Sequence, residues 1–313
     1  MALHIETPLF ESGAMALRPG QSVWLKMEAL QPSGSFKLRG IGHACEQYAL
    51  RGARRFVSSS GGNAGIAAAH AGRRLGLPVT VVVPDTASAR ARELIAREGA
   101  EIIVHGASFQ EANALAQSML GELDAFIHPF DDPLLWDGHA TMMDEVARAG
   151  FKPDAVVLSV GGGGLLCGVV EGLHRNGWGK VPVIAVETLG ADSYARSLQA
   201  GERIELPGIT SIAASLGARK VSEQAFELAR RHTIEPVVVS DREAVEACLR
   251  FMDDHRVVVE PACGASLALA YRAGERLARF ERVLVIVCGG VTATVEQLQR
   301  WGRELPACIH PTN

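Results

Sequence analysis

The 313-residue sequence has no Cys-x-x-Cys pair, no apolar run near the ~18 residues a bilayer span requires, no block of like charge and no low-complexity stretch. Each absence closes a class of function. The six cysteines, Cys45, Cys167, Cys248, Cys263, Cys288 and Cys308, are scattered, which argues against structural zinc and against a disulfide framework. Most read as small buried hydrophobes. The longest apolar stretches, such as 283–288, are far too short to cross a membrane. Arg and Glu are interspersed and the formal net charge is −4, so nucleic acid and anionic membranes are not expected as partners. Residues 1–9 lack a basic region followed by an apolar run, so no export signal is read and the expected location is the cytoplasm. A Walker A loop and a G-x-S-x-G elbow are missing, and Leu166 stands where a dinucleotide fingerprint would need its third glycine.

What is present is an ordinary globular composition, 48% hydrophobic and 21% charged, in a chain long enough for two domains or one large α/β unit. Short β-branched runs at 23–28, 55–59, 79–83, 101–105, 125–128, 155–160, 181–187, 236–240 and 282–288 predict strands. Helical-period segments at 63–75, 87–98, 109–120, 135–149, 165–176, 241–255 and 262–277 lie between them. Alternation of this kind predicts an α/β fold of mostly parallel twisted sheets covered on both faces. Turn-forming residues at 31–35 and 128–133 bracket about four βα repeats. The expected division is a small sheet domain over 35–134 and a larger one over 1–34 and 135–313.

Three strand-to-helix junctions are rich in glycine: Ser58-Ser-Ser-Gly-Gly-Asn-Ala-Gly65, Gly161-Gly-Gly-Gly-Leu165 and Cys288-Gly-Gly290. Such places offer free backbone N–H groups and a positive dipole end to an anion. Four consecutive residues without Cβ let the chain curl round a phosphate, more than a tight packing turn requires. Lysine is scarce: Lys26, Lys37, Lys152, Lys180 and Lys220 are all there are. Lys152, Lys180 and Lys220 sit in loops and read as solvated. Lys37 opens a predicted helix, where the dipole favours the neutral, nucleophilic amine. An imine-forming lysine, a phosphate cup and a polar Ser/Gly/Asn loop together describe a pyridoxal-phosphate site.

With these motifs in view, the sequence resembles the fold type II pyridoxal-phosphate enzymes, and within them the catabolic L-serine/L-threonine dehydratases. Pro32-Ser-Gly-Ser-Phe-Lys-Leu-Arg-Gly40, the 58–65 loop, Pro129-Phe-Asp-Asp-Pro133, Ser159-Val-Gly-Gly-Gly-Gly-Leu-Leu-Cys-Gly168, Val259-Glu-Pro-Ala-Cys-Gly264 and Val287-Cys-Gly-Gly290 carry the resemblance. It implies two open sheets of the tryptophan synthase β type, with Lys37 bonded to the cofactor aldehyde and Phe36 packed on the cofactor. Asn63 would hydrogen-bond the ring's 3′-oxygen, and Gly161, Gly162, Gly163, Gly164 and the Leu165 amide would hold the phosphate. Ser60, Gly61 and Asn63 would receive the substrate carboxylate, with Phe130 lining the pocket. Cys288 would face the pyridine nitrogen, where a thiol, a weak donor and acceptor, leaves the ring a moderate electron sink suited to elimination. Gly161, Glu187, Ala191, Leu216 and Ala218 would bind a monovalent cation, K+ by expectation; Glu187 alone could equally be a surface carboxylate or an ion-pair partner. Gly61 stands where more active liver-type relatives tend to carry alanine, whose methyl would press on substrate and loop, so a slower enzyme is implied.

The resulting expectation is a cytoplasmic homodimeric lyase, with Lys37 as the base that removes the Cα proton of L-serine or L-threonine. Serine racemases use the same carbanion and stay open. Cysteine synthases resemble the chain less, usually carrying Asn-Thr where Asn63-Ala64 stands and serine in place of Cys288. Biosynthetic threonine dehydratases have a regulatory domain for which 313 residues leave no room. A phosphate-ligand-binding protein without catalysis would leave Lys37 and Cys288 idle.

Overall fold

The structure is a computed structural model that describes residues 2–15, 18–272 and 275–306. Ten strands run in chain order: β1 (Leu9–Glu11), β2 (Ser22–Lys26), β3 (Arg55–Ser58), β4 (Val79–Val83), β5 (Glu101–Val104), β6 (Asp124–Ile127), β7 (Ala155–Ser159), β8 (Val183–Thr188), β9 (Ile234–Val239) and β10 (Arg282–Ile286). The helices are α1 (Lys37–Leu50), α2 (Asn63–Leu75), α3 (Ala89–Arg97), α4 (Phe109–Ser118), α5 (Pro133–Arg148), α6 (Gly164–Arg175), α7 (Ser193–Ala200), α8 (Glu223–Leu228), α9 (Asp241–His255), α10 (Pro261–Tyr271), α11 (Glu275–Ala278) and α12 (Val295–Glu304).

The strands form two sheets, as the βα alternation requires. One has six strands in the order β1-β2-β10-β7-β8-β9, the other four in the order β5-β4-β3-β6. Every pairing is parallel except that of β1 with β2. Central strands β4, β7 and β8 are buried along their whole length, the pattern of parallel strands covered on both faces. Helix α10 has no polar face: each of its residues up to Ala270 is buried, and it packs against β7, β8 and β10. Helix α5 lies against both α1 and α6, joining the layers around the two sheets.

Several expectations need correction. The short edge strand β1 and the helices α7, α8 and α12 were not expected. The helix expected over 262–277 stops at Tyr271, because Arg272 turns to an extended conformation (ψ 124°). Strands expected to run to 28, 105, 160 and 288 end one or two residues earlier, where the chain leaves the ladder to build the loops described next. The five described cysteines are buried and unpaired; Cys308 lies outside the described residues. Among the described residues no helix is long and apolar enough to cross a membrane.

Candidate active site

In an open α/β sheet, ligands lie beyond the carboxyl ends of neighbouring strands whose connections diverge. Each sheet here has such a place. In the large sheet β7 leads on to β8, while its other neighbour β10 comes from far along the chain; the tetraglycine follows β7 and Cys288 follows β10. In the small sheet β3 leads to β4 and its other neighbour is β6; the 58–65 loop follows β3 and the 128–133 loop follows β6. The four loops meet. Phe130 packs on the tetraglycine, since a Cβ at Gly162 would fall 2.2 Å from its ring and one at Gly164 would fall 2.6 Å from its carbonyl oxygen. Asn63 reaches across to Ser215, Glu260 and Val291.

Lysine 37 is carried into this space by a clasp. Gly290 N–H donates to the Gly34 carbonyl at 2.8 Å, Phe36 N–H donates to the Cys288 carbonyl at 3.0 Å, and Ser35 pairs with Gly289. Lys37 is therefore the first residue of α1 and lies beside Cys288. Its amine donates to the Pro129 carbonyl at 2.5 Å and lies 5.2 Å from the centre of the Phe36 ring. Among the described residues no carboxylate is within ion-pair distance of it. Burial pushes its pKa down to about 8, against smaller opposing effects of Cys288 and Glu260. The Phe36 ring also meets His139, tilted, 5.0 Å away between ring centres. His139 is wholly buried with neither ring nitrogen partnered, and burial holds it neutral.

The glycines at 161–164 are dictated by their neighbours. A Cβ on Gly161 would lie 2.9 Å from Leu216 Cα, and Gly163, at φ +96°, would set one 2.4 Å from the Ala225 side chain. No carbonyl or side chain of the described residues accepts from the N–H of Gly162, Gly163, Gly164 or Leu165, and α6 has no side-chain cap. The start of α6 thus presents convergent free donors at its positive end, as a phosphate requires. A lysine amine with a lowered pKa beside an anion cradle fits pyridoxal phosphate, which carries an aldehyde and a phosphate.

The remaining expected residues fall as follows. Asn63 is buried; its Nδ2 donates to Glu260 at 2.7 Å and Ser215 at 3.2 Å, and its Oδ1 accepts from Val291 N–H. Ser60 Oγ accepts weakly from Gly62 N–H at 3.4 Å. A methyl on Gly61 would meet the Ala87 side chain at 2.9 Å and Val83 at 3.3 Å, so it would press on the flank formed by β4 and the start of α3. Cys288 is buried and hydrogen-bonded to Cys263; that bond and burial push its thiol pKa well up, keeping it protonated. Glu187 is not a surface carboxylate, and among the described residues it pairs with no cation. It is fully buried at the end of β8, accepts the N–H groups of Tyr194 and Ala195 at 2.9 and 2.8 Å, and burial raises its pKa to about 8. Gly161 backs onto Leu216, Ala191 is buried in the turn after β8, and Ala218 N–H folds back onto the Leu216 carbonyl. Among the described residues no three His, Cys, Asp or Glu side chains converge on a metal position.

One residue of the site was quoted only as part of a motif. Glu260 is buried, takes the Asn63 amide on one oxygen and the Thr292 N–H and hydroxyl on the other, at 3.3 and 2.5 Å, and has its pKa raised by burial. A carboxylate immediately before a proline that opens an apolar helix was the available signal, because such a residue must cap the helix or face a cavity.

Comparison with known proteins identifies the family. The family model described as "Pyridoxal-phosphate dependent enzyme" matches residues 2–289. The L-serine dehydratase/L-threonine deaminase of Homo sapiens is 47% identical over 314 residues, spanning 97% of this chain and 96% of the relative. Among solved structures, a fungal L-serine ammonia-lyase from Rhizomucor miehei superposes with TM-score 0.90 at 34% identity, covering 97% of this chain and 99% of that one. Maize serine racemase superposes with TM-score 0.85 at 26% identity, covering 95% and 91%.

Proposed function

Because the chain belongs to the pyridoxal-phosphate dependent enzymes, we propose that it is an ammonia-lyase converting L-serine to pyruvate and ammonia, and L-threonine to 2-oxobutanoate and ammonia. The observation that carries this reading is the Lys37 amine, largely withdrawn from water, unpaired with any carboxylate of the described residues and near a loop of unpaired N–H groups. Similarity to proteins named for serine dehydration supports the substrate class.

When bound, pyridoxal phosphate supplies an aldehyde that takes up the substrate's amino group and a conjugated ring that withdraws electrons from Cα, so that a β-hydroxyl can leave. Gly161 to Gly164 and Leu165 would hold its phosphate on backbone N–H groups, Lys37 its aldehyde carbon, Asn63 its 3′-oxygen and Cys288 its ring nitrogen. The chain's own part is to place groups and move protons. Ser60, Gly61 and Asn63, at the start of α2, orient the substrate carboxylate, and Phe130 closes the pocket over the glycines. With its pKa lowered to about 8, Lys37 Nζ sheds its proton far more readily than an ordinary lysine, and once free of it takes the Cα proton as general base. A thiol kept protonated at Cys288 cannot neutralise negative charge as an acid would, which favours elimination over transamination.

The same proposal includes a K+ held by Glu187 and the carbonyls of Gly161, Ala191, Leu216 and Ala218, a homodimeric assembly, cytoplasmic residence, and a small domain over 35–134 that bears the substrate loop. Glu187, a fully buried carboxyl that no Lys, Arg or His of the described residues pairs with, supports the cation.

The direct test is spectroscopic. Purified protein given pyridoxal phosphate should develop a visible band that borohydride bleaches, leaving the cofactor fixed to the peptide that carries Lys37. Rates with L-serine, L-threonine and O-acetylserine, each in K+ and Na+, should rank the hydroxy amino acids first and show the cation dependence. A colourless protein would indicate a binding module instead, and D-serine exceeding pyruvate from L-serine would indicate a racemase.

A further inference from the structure

The 128–133 loop contains a short relay that ends on the catalytic amine. His128 Nδ1 accepts two consecutive backbone N–H groups, from Phe130 at 3.2 Å and Asp131 at 2.7 Å. The Phe130 N–H belongs to the same peptide plane as the Pro129 carbonyl, and that carbonyl accepts the Lys37 amine at 2.5 Å. A peptide plane is rigid, so the group that fixes its N–H end also fixes where its carbonyl points. Elsewhere the loop is tied down on other atoms: Trp136 Nε1 donates to the Phe130 carbonyl at 3.0 Å, and Asp132 caps α5 while accepting the Tyr48 hydroxyl at 2.7 Å. None of these bonds touches the Pro129–Phe130 plane.

We propose that His128 is a positioning residue for Lys37: an imidazole with bare Nδ1 and the proton on Nε2 holds the Pro129–Phe130 peptide so that its carbonyl aims the Lys37 amine. An Nδ1 that accepts two N–H groups cannot itself carry hydrogen. The surroundings favour this state. The ring sits edge-on to Phe130 at 4.8 Å and near Phe126 at 6.2 Å; burial and the nearby Lys37 lower its pKa to about 4, with Asp132 the one carboxylate opposing them. The inference rests on Lys37 being the group that bonds pyridoxal phosphate.

Two ligands separate aiming of the amine from general packing. Pyridoxal 5′-phosphate can bond Lys37, whereas pyridoxine 5′-phosphate offers the same ring and phosphate with no aldehyde. In the cofactor-free full chain, His128→Leu should weaken pyridoxal phosphate about tenfold, the scale of losing one well-placed acceptor, and leave pyridoxine phosphate within about twofold. His128→Asn, whose Oδ1 can accept the same two N–H groups, should restore the affinity. Equal losses for both ligands, or no loss for either, would overturn the proposal. Should the leucine variant fail to fold, ¹⁵N spectra of the wild-type histidines decide: a bare Nδ1 on His128 at neutral pH supports the relay, and a protonated Nδ1 refutes it. Wild-type protein that binds pyridoxal phosphate no better than the alcohol would instead overturn the assignment of Lys37 on which the inference stands.

Discussion

Two of the five lysines leave the surface, and they do so in opposite company. Lys26, at the end of β2, is 1% exposed and pairs with Glu145 while donating to the Thr7 carbonyl at 2.6 Å. Around it Arg39, fully buried, grips Glu28 through two bonds at 2.7 and 2.8 Å and Glu145 through two more at 2.6 and 2.7 Å. Two cations meet two carboxylates, so charge is balanced within the cluster. Lys37, two residues before Arg39 and so on roughly the opposite side of α1, has a carbonyl for its partner and, among the described residues, no carboxylate paired with it. Burying charge is tolerated when it is paired and forces neutralisation when it is not. The first arrangement holds α1 to α5 and to the N-terminal segment; the second leaves an amine ready to react.

The sharpest way to break this contrast is to remove each ammonium while keeping a similar apolar stem. Lys37→Met should lose more than about 10⁴-fold in turnover, beyond what a general base alone contributes, while the cofactor-free protein unfolds at no lower urea concentration. Lys26→Met should do the reverse, retaining turnover per folded molecule but unfolding earlier. If Lys37→Met turned over serine, or Lys26→Met were the inactive and stable one, the two roles would have been assigned the wrong way round.

Next in size is Arg39, which joins both carboxylates of the balanced cluster. Arg39→Met leaves Glu28 with hydroxyl and amide donors only and Glu145 with Lys26 and the Thr7 N–H. A loss of about 3–5 kcal/mol is expected from breaking a buried pair on one side, read from chemical unfolding of the cofactor-free protein. A loss under about 1 kcal/mol would mean that the cluster is solvated and the comparison with Lys37 misplaced.

The two lysines also show what a sequence discloses. Lys37 was legible because its signals are local: scarcity, a Ser-Gly-Ser approach and a helix start. The tetraglycine was legible for the same reason, and the βα alternation placed both at strand ends. Lys26 was not, because its partner lies 119 positions away and no periodicity links them; Glu187 and Glu260 likewise acquire their character only from the elements that bury them. The His128 relay escaped because a histidine accepting N–H groups from its own loop has no motif. The helix α12 has a local signal of its own: Thr294 and Gln297 form a capping box. Strand β1, at three residues, is too short to show an alternation.

The finest test of the comparison is the proton on Lys37 in the cofactor-free protein. Its folded pKa of about 8 lies below the 10.5 of an unperturbed lysine. Below pH 8 both folded and unfolded chains hold the proton, and the folded state bears the full penalty of an unpaired buried charge. Between pH 8 and 10.5 the unfolded chain binds more protons than the folded one, so stability rises with pH, by at most about 3 kcal/mol at 1.36 kcal/mol per unit. Other groups titrate in the same window, so the informative quantity is the difference between wild type and Lys37→Met. The methionine variant should be the more stable by up to about 3 kcal/mol at pH 7, with the gap closing by pH 10.5. A gap that is absent at pH 7 would mean that the amine is hydrated or paired as Lys26 is. A lysine in that state would need to shed its proton at the cost of an unperturbed amine before it could attack an aldehyde.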